Sequence, residues 1–208
     1  MPQGLLTFHN VSHGLDDQWD IRNLTWEIGR GDRIKIICDQ PEQARVLWKL
    51  LELKLKPKDG WIEASSSFSI YSDQLLISRV NFEKNMYQNL ESRRFSDQVW
   101  VHDRRHHVHG MLEFMEIEIP YRRCPLAEVP EQVLWRFIAV LFIVTSTKIL
   151  LGQTLVTRTD PLIMTLLEQW SPHFQGSLVF FGNSGTVLPF CKTVLKISAS
   201  GLPHIESV

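Results

Sequence analysis

The chain is 208 residues long, enough to bury a substantial core without a disulfide or metal staple, and of a size for one domain with at most an attached subdomain. Its 22 Lys and Arg against 23 Asp and Glu give a net charge of -1, which excludes a general electrostatic pull on nucleic acid or anionic lipid. With 44% hydrophobic and 22% charged residues, the composition is that of a globular protein and excludes a disordered one.

Residues 1–40 read as β: Leu5, Leu6, Thr7 and Phe8 open one strand, and Leu24, Trp26 and Ile28 alternate along another. Gly29-Arg30-Gly31-Asp32 is a turn signal, and Arg33-Ile34-Lys35-Ile36-Ile37 follows as a strand with its apolar side chains bunched at the end. Val46, Leu47, Leu50 and Leu51 have helical spacing, and Pro57-Lys58-Asp59-Gly60 breaks the chain before short strands around Trp61-Ile62 and Phe68 to Tyr71. The middle is predicted to be α. Across 97–115, Val101, Val108, Leu112 and Met115 form a narrow apolar seam, whereas 131–144 is apolar almost all round and is expected to be deeply buried. Strand patterns return at Ile149-Leu150-Leu151, at Leu178-Val179-Phe180-Phe181 and at Thr193 to Ile197, with a helix over 161–170 between the first two. Strands alternating with helices predict an α/β sheet carrying a helical insert.

Several stretches stand in a recognisable order. They are Asn10-Val11-Ser12 with Ile21 to Ile28, Gly31 to Ile37, Val46 to Leu51, Lys56 to Ile62, Phe82 to Met86 and Lys192 to Gly201. In that order and spacing the chain resembles the nucleotide-binding subunit of ATP-binding cassette (ABC) transporters over nearly its whole length. The segments are similar, in turn, to that family's opening antiparallel sheet, the strand entering its phosphate loop, the helix leaving it, the "P-x-x-G-x-I" turn, the "v-x-E-N" helix and the closing hairpin. The resemblance implies a single domain over 1–208, with a P-loop NTPase (RecA-like) core from 1–85 and 146–208 and a helical subdomain over about 86–145.

The positions that handle nucleotide in that family carry other residues here. A phosphate loop, G-x-x-x-x-G-K-[ST], needs glycines so that backbone N–H groups curl around phosphate, Lys to neutralise it and Ser/Thr to hold Mg²⁺. The aligned residues are Cys38-Asp39-Gln40-Pro41-Glu42-Gln43-Ala44-Arg45, with Ala44 at the lysine position and Arg45 beside it. The L-S-G-G-Q signature aligns with Leu126-Ala127-Glu128-Val129-Pro130. The Asp-Glu pair that orders metal and water aligns with Gly152 and Gln153, and the switch histidine with Asn183. No aromatic side chain stands near His13 to stack on adenine, and the glutamine that contacts metal corresponds to Gln74. No cofactor and no metal are therefore expected.

The resemblance implies a non-catalytic subunit of a transport or export complex. It would lie peripherally on the inner face of the cell membrane, docked on a transmembrane permease, beside a competent ABC ATPase or a second copy of itself. Docking would use a short helix of the permease, met here by Gln74, Leu75, Leu76, Val80, Phe82 and Asn85 in a helix-in-groove contact. Two alternatives stay open: an ATPase whose Arg45 and Gln153 take over phosphate and water contacts, and a soluble scaffold that binds another protein.

Other features have plainer readings. Cys38, Cys124 and Cys191 show no paired spacing, so neither a disulfide framework nor a thiolate zinc site is expected, and a reducing cytoplasm fits. The opening residues lack a secretory pattern, and the longest apolar run, 137–144, is far short of the roughly 20 residues a membrane helix needs. His102, His106 and His109 share a helix face near His107, a spacing that can ligate Zn²⁺, but interleaved arginines make a solvated polar face the expected account. Ser146, Ser171, Ser184 and Ser200 sit in no nucleophile elbow, and Arg93-Arg94 and Arg122-Arg123 are isolated surface pairs.

Overall fold

The computed structural model describes residues 4–15, 18–66, 68–92, 101–144, 148–157, 160–185 and 187–207. Arg93, Arg94, Ser146 and the 97–100 start of the predicted middle helix lie outside them, as do the side chains of Val101, His102, His106 and His107. Along the described chain come β1 (Leu6–Leu15), β2 (Gln18–Ile28), β3 (Arg33–Cys38), α1 (Pro41–Leu51), β4 (Asp59–Ala64) and β5 (Ile70–Ser72). The helices α2 (Asp73–Arg79), α3 (Met86–Ser92), α4 (Val101–Phe114), α5 (Ile119–Arg123) and α6 (Glu131–Val144) follow. The chain closes with β6 (Ile149–Gly152), α7 (Thr154–Thr157), α8 (Pro161–Trp170), β7 (Ser177–Gly182), β8 (Thr193–Ile197) and β9 (Pro203–Ser207). Packing divides it into a unit of Met1–Ile70, Lys148–Gln153 and His173–Val208, and a helical unit of Tyr71–Thr147 and Thr154–Pro172.

In the first unit, a three-stranded antiparallel sheet has the order β2-β1-β4. Leu6, Phe8 and Val11 on β1 and Ile21, Leu24 and Ile28 on β2 are fully buried. The regular alternation is interrupted at Asn10 and Asn23, which take φ of 49° and 48° where the β1–β2 register shifts. Short polar side chains tolerate that conformation because they bond locally: Asn10 Oδ1 accepts from Thr25 Oγ1 at 2.8 Å, and Ser12 Oγ accepts from the Asn23 N–H at 2.9 Å. The bulge brings β1 against β4 so closely that a Cβ on Gly60, which has φ of 76°, would stand 2.3 Å from the His9 carbonyl oxygen. Gly60 thus serves inside strand β4, so the break predicted at 57–60 overlaps the first two residues of that strand.

The second sheet has the order β5-β6-β7-β3-β8-β9. β3 is central and runs parallel to β7 on one side and β8 on the other, with Ile34 opposite both Val179 and Thr193. Near-continuous apolar runs are what a sheet covered on both faces demands, and Ile149, Leu150, Leu151, Leu178, Val179 and Phe180 are fully buried. The antiparallel strand β9 closes one edge, where Pro203 and the Lys196–Glu206 ion pair at 2.8 Å make further strand addition unfavourable. At the start of β3 the buried Arg33 guanidinium donates to the carbonyls of Gly31 (2.9 Å), Asp32 (3.0 Å), Gly176 (2.7 Å) and Phe174. One side chain thereby ties the entry turn of β3 to the entry loop of β7.

The helical unit is built on α6, whose residues 137–143 are all buried, as its apolar circumference predicts. α2, α4 and α8 pack against it. Arg136, on its first half, donates through Nε to Asp160 Oδ2 at 2.9 Å and through Nη1 to the Met115 carbonyl at 3.0 Å. Asp160 Oδ1 caps α8 by accepting from the Leu162 N–H at 3.0 Å. Burial raises the Asp160 pKa, but the bonds from Arg136, Leu162 and Gln132 and the Arg136 charge outweigh it and hold the carboxyl below its ordinary value.

The Asp160 and Arg136 side chains are only 6% and 14% exposed, so removing one partner leaves a poorly solvated charge. Arg136→Met is expected to cost about 3 kcal/mol at neutral pH, read by urea unfolding. A carboxyl with a lowered folded pKa contributes stability that is complete above the unfolded value, about 3.9, and is lost as pH falls through the folded value. The deficit should therefore shrink as pH falls below the unfolded value and through the lower folded one. A deficit that persists undiminished in acid would assign the loss to the Met115 carbonyl instead.

Candidate functional site

The strand–helix junction after β3 is where the sequence predicts a degenerate phosphate loop. Only Asp39 and Gln40 separate β3 from α1, which opens with Pro41 in its first turn. Proline suits that place because its fixed φ is helical and its missing N–H would have no partner there. The aligned residues 42–45 therefore form the first turn of a helix, not a loop.

Gln43 is fully buried at this junction. Its Oε1 accepts from the Gln40 N–H at 3.1 Å, while Nε2 donates to the carbonyls of Ser198 at 2.7 Å and Ala199 at 3.4 Å. Asp39 joins the same seam: its N–H donates to the Ile197 carbonyl at 3.0 Å, and its Oδ2 accepts from the Ala199 N–H at 2.9 Å. Residues 198–202 are the predicted closing turn of the β8–β9 hairpin, itself held by the Leu202 N–H on Ser198 Oγ at 3.1 Å. A neutral amide and a carboxylate thus bind the helix start to the hairpin. Ala44 packs against the core, and Arg45 is exposed and bonded through Nε to Glu42 Oε1 at 2.8 Å. Burial, with the neighbouring Asp39 charge, pushes the Cys38 thiol up to about 12, so it stays protonated and is no nucleophile.

Gly152 ends β6 directly beside Phe180 of β7. A Cβ on Gly152 would lie 2.4 Å from two carbons of the Phe180 ring. That ring is fully buried and meets Phe190 edge-on at 5.5 Å between centroids. A side chain at position 152 and the Phe180 ring would therefore claim the same space. Gln153 follows, half-buried, and Asn183 stands exposed just past the end of β7.

In the helical unit, residues 126–128 form a single 3-10 turn that buries Leu126, and Ala127 and Glu128 are exposed. Its N–H groups are bonded to the preceding loop, Leu126 to the Lys84 carbonyl at 3.1 Å and Ala127 to the Phe82 carbonyl at 3.0 Å. The same loop is fixed from within by Asn89, a buried residue that the sequence reading passed over. Asn89 Nδ2 donates to the carbonyls of Asn81, Lys84 and Asn85 at 2.9, 3.2 and 3.0 Å, and its Oδ1 accepts from the Asn81 N–H at 2.8 Å. Asn85 starts α3 through a reciprocal cap with Gln88, at 2.9 and 3.1 Å.

The six residues predicted to meet a partner fall on α2 and this loop. Leu76 and Val80 are buried within the unit, Leu75 and Asn85 are half-buried, and Gln74 and Phe82 are exposed, Phe82 by 40%. Asp73, next to Gln74, is fully buried and accepts from the Leu155 N–H at 3.0 Å, which anchors α2 to the start of α7. Of the predicted histidine group, His109 is exposed and lies 3.2 Å from Glu113. Among the described residues, no group of three His, Cys, Asp or Glu could hold a metal ion, and no helix is long and apolar enough to cross a membrane.

No protein-family model matches this sequence, and no curated protein does. Solved structures do match. The structure of cbiO1 from Clostridium perfringens, part of the ABC transporter complex cbiONQ, aligns with a TM-score of 0.71 at 17% identity over 98% of this chain and 88% of that one. The dimeric bacterial ABC transporter cassette MJ0796 aligns with 0.67 at 15% identity over 97% and 98%. A bacterial Atm1-family ABC exporter with ATP bound aligns with 0.66 at 17% identity over 97% of this chain and 38% of the exporter. At such identities the shared property is the fold: the chain has the α/β, P-loop NTPase fold of an ABC ATP-binding cassette.

A carboxylate placed alone at the end of β6 is expected to fail structurally. Gly152→Asp should lower stability by about 3 kcal/mol, since the new side chain and the Phe180 ring claim one volume and a charge would be buried. In a Phe180→Ala background the same substitution should cost less, as measured by denaturant unfolding. Equal losses in both backgrounds would show that the ring is not the obstacle.

Proposed function

We propose that this chain is a non-catalytic ABC-type subunit of a membrane transport or export complex. The single observation that carries the reading is the Gln43 seam: the place where a phosphate would lie is spanned by a buried amide bonded to Ser198 and Ala199. Pro41 offers no N–H, Asp39 brings negative charge, and the Arg45 guanidinium is paired with Glu42. A nucleoside triphosphate with Mg²⁺ does not fit such residues. Gly152 backed by Phe180 supports the same reading at the metal position, and the pairing of Arg45 with Glu42 weighs against an ATPase of altered site.

The chain's part in a complex is then mechanical. One solved relative of the fold belongs to a transporter complex and another is dimeric, and this subunit is read as docking likewise on a permease at the cytoplasmic side, beside a competent ATPase or a second copy of itself. Gln74, Leu75, Phe82 and Asn85 would present the contact, with Leu76, Val80 and the Asn89 network holding it from behind. A partner's nucleotide would face Ala127 and Glu128. The Glu128 carboxylate repels phosphate by about 1 kcal/mol or more where partly desolvated, so contacts independent of nucleotide must hold the complex.

Calorimetric titration with MgATP is expected to show no binding as tight as about 1 mM, equivalent to about 4 kcal/mol. Ala44→Lys is expected to give no ATP turnover, because groups that act as a unit are not restored one at a time. The native complex, purified from membranes in detergent, should persist equally with ATP, with ADP and with neither. Assembly only in the presence of ATP would overturn the non-catalytic reading and indicate an ATP-gated dimer.

A further inference from the structure

We propose that the free edge of β4 takes up an extended basic segment of a protein partner, added as a fourth strand to the antiparallel sheet. The order β2-β1-β4 leaves one side of β4 unpaired. Among the described residues, no backbone group of 59–64 bonds outside the ladder with β1. Such open N–H and C=O groups are a template for an incoming strand. The inference concerns this sheet alone and does not rest on the function proposed above.

The edge is not defended as β9 is. Where β9 carries Pro203 and the Lys196–Glu206 pair, 59–64 contains neither proline nor lysine, and its two charges, Asp59 and Glu63, are both acidic. Acid on an edge turns away acidic strands, a second copy of β4 among them, and favours a basic one. Lys58, just before the strand, sets its Nζ 3.5 Å from the Gly14 carbonyl, and among the described residues Glu63 meets no lysine or arginine.

Trp61 is the informative residue. Ile62 packs against the core, so by the two-residue period of a strand Trp61 and Glu63 share the outer face. There Trp61 is 59% exposed. One face of its indole stacks on His9, at 4.6 Å between centroids and 18° between planes, which fixes the ring and leaves its other face to solvent. Glu63 Oε2 lies 3.4 Å from His9 Nε2 without a hydrogen bond, and the Glu63 side chain is 73% exposed. An indole face beside an open carboxylate suits a guanidinium or ammonium group, through cation–π attraction and charge together. A strand laid along β4 brings every second side chain onto this face, so arginine or lysine at positions i and i+2 meets both Trp61 and Glu63.

The test titrates the full chain by calorimetry with an end-blocked peptide of four Thr-Arg repeats, basic at every second residue. Three controls separate the contributions. Four arginines followed by four threonines have the same charge in the wrong spacing, and four Thr-Glu repeats carry the opposite charge. The basic repeat with every amide N-methylated keeps charge and spacing but donates no backbone hydrogen bond. The Thr-Arg peptide is expected to saturate with a Kd at or below about 0.1 mM and to bind about tenfold tighter than each control. Trp61→Ala should weaken it about tenfold, and Trp61→Phe, which keeps an aromatic face, about threefold or less. Glu63→Gln should weaken it about threefold. Both positions are exposed, so these variants keep the fold. Absence of saturable binding, equal binding of any control, or binding unchanged in Trp61→Ala would each overturn the proposal.

Discussion

A strand buried on both faces and paired on both edges has no freedom at its ends, and β3 is that strand here. Every N–H and C=O along it must find a partner in β7 or β8, because water cannot reach them. The ends then have to be finished by something other than the sheet. At the start, the Arg33 guanidinium gathers four carbonyls from two chain segments that converge on it. At the finish, Asp39 continues the ladder by one more bond to Ile197 before the helix begins. The placement of β7, β8, α1 and the closing hairpin all answer to this one strand.

The junction that follows β3 is a general problem with two solutions. A strand running straight into a helix points several unpaired N–H groups and a dipole at one spot. An anion can meet them, or the protein can. Here the protein meets the neighbouring groups itself, with a glutamine amide reaching across to the hairpin and a proline that presents no donor. The amide is neutral, so burying it costs no charge desolvation, and both its ends are used. Stability of the cassette fold is thereby separated from any ligand at this place.

Much of the architecture was legible because it follows from period and length. The unbroken apolar runs at 149–151 and 178–181 belong to strands covered on both faces, and the all-round apolar helix lies in the centre of its unit. The short helices α2, α5 and α7 were not legible. They span 7, 5 and 4 residues, too few for a period to declare itself, and are fixed by single bonds such as Asp73 to the Leu155 N–H. At the site, the sequence pointed to residues aligned with the family's nucleotide-handling positions, but not to the bonds those residues make in the fold. Gln43 looked like a lost glycine, and its role depends on Ser198, distant in the chain, which no local pattern encodes. A Q-x-x-Q spacing at a helix start was the one available hint. Arg122 was read with Arg123 as a surface pair, whereas it is buried and only Arg123 is exposed, because neighbouring helix positions point about 100° apart.

Phe180 and Gly152 are bound to each other in a way that makes the order of change matter. Enlarging residue 152 while the ring is present forces a collision at 2.4 Å. Shrinking residue 180 first would open a void the size of a benzene ring under the sheet, at a cost of about 3 to 5 kcal/mol. Each first step is penalised, so a carboxylate at the end of β6 is costly to introduce unless residue 180 changes with it. The aromatic–glycine couple acts as a latch, in which each partner fixes the size of the other by packing alone.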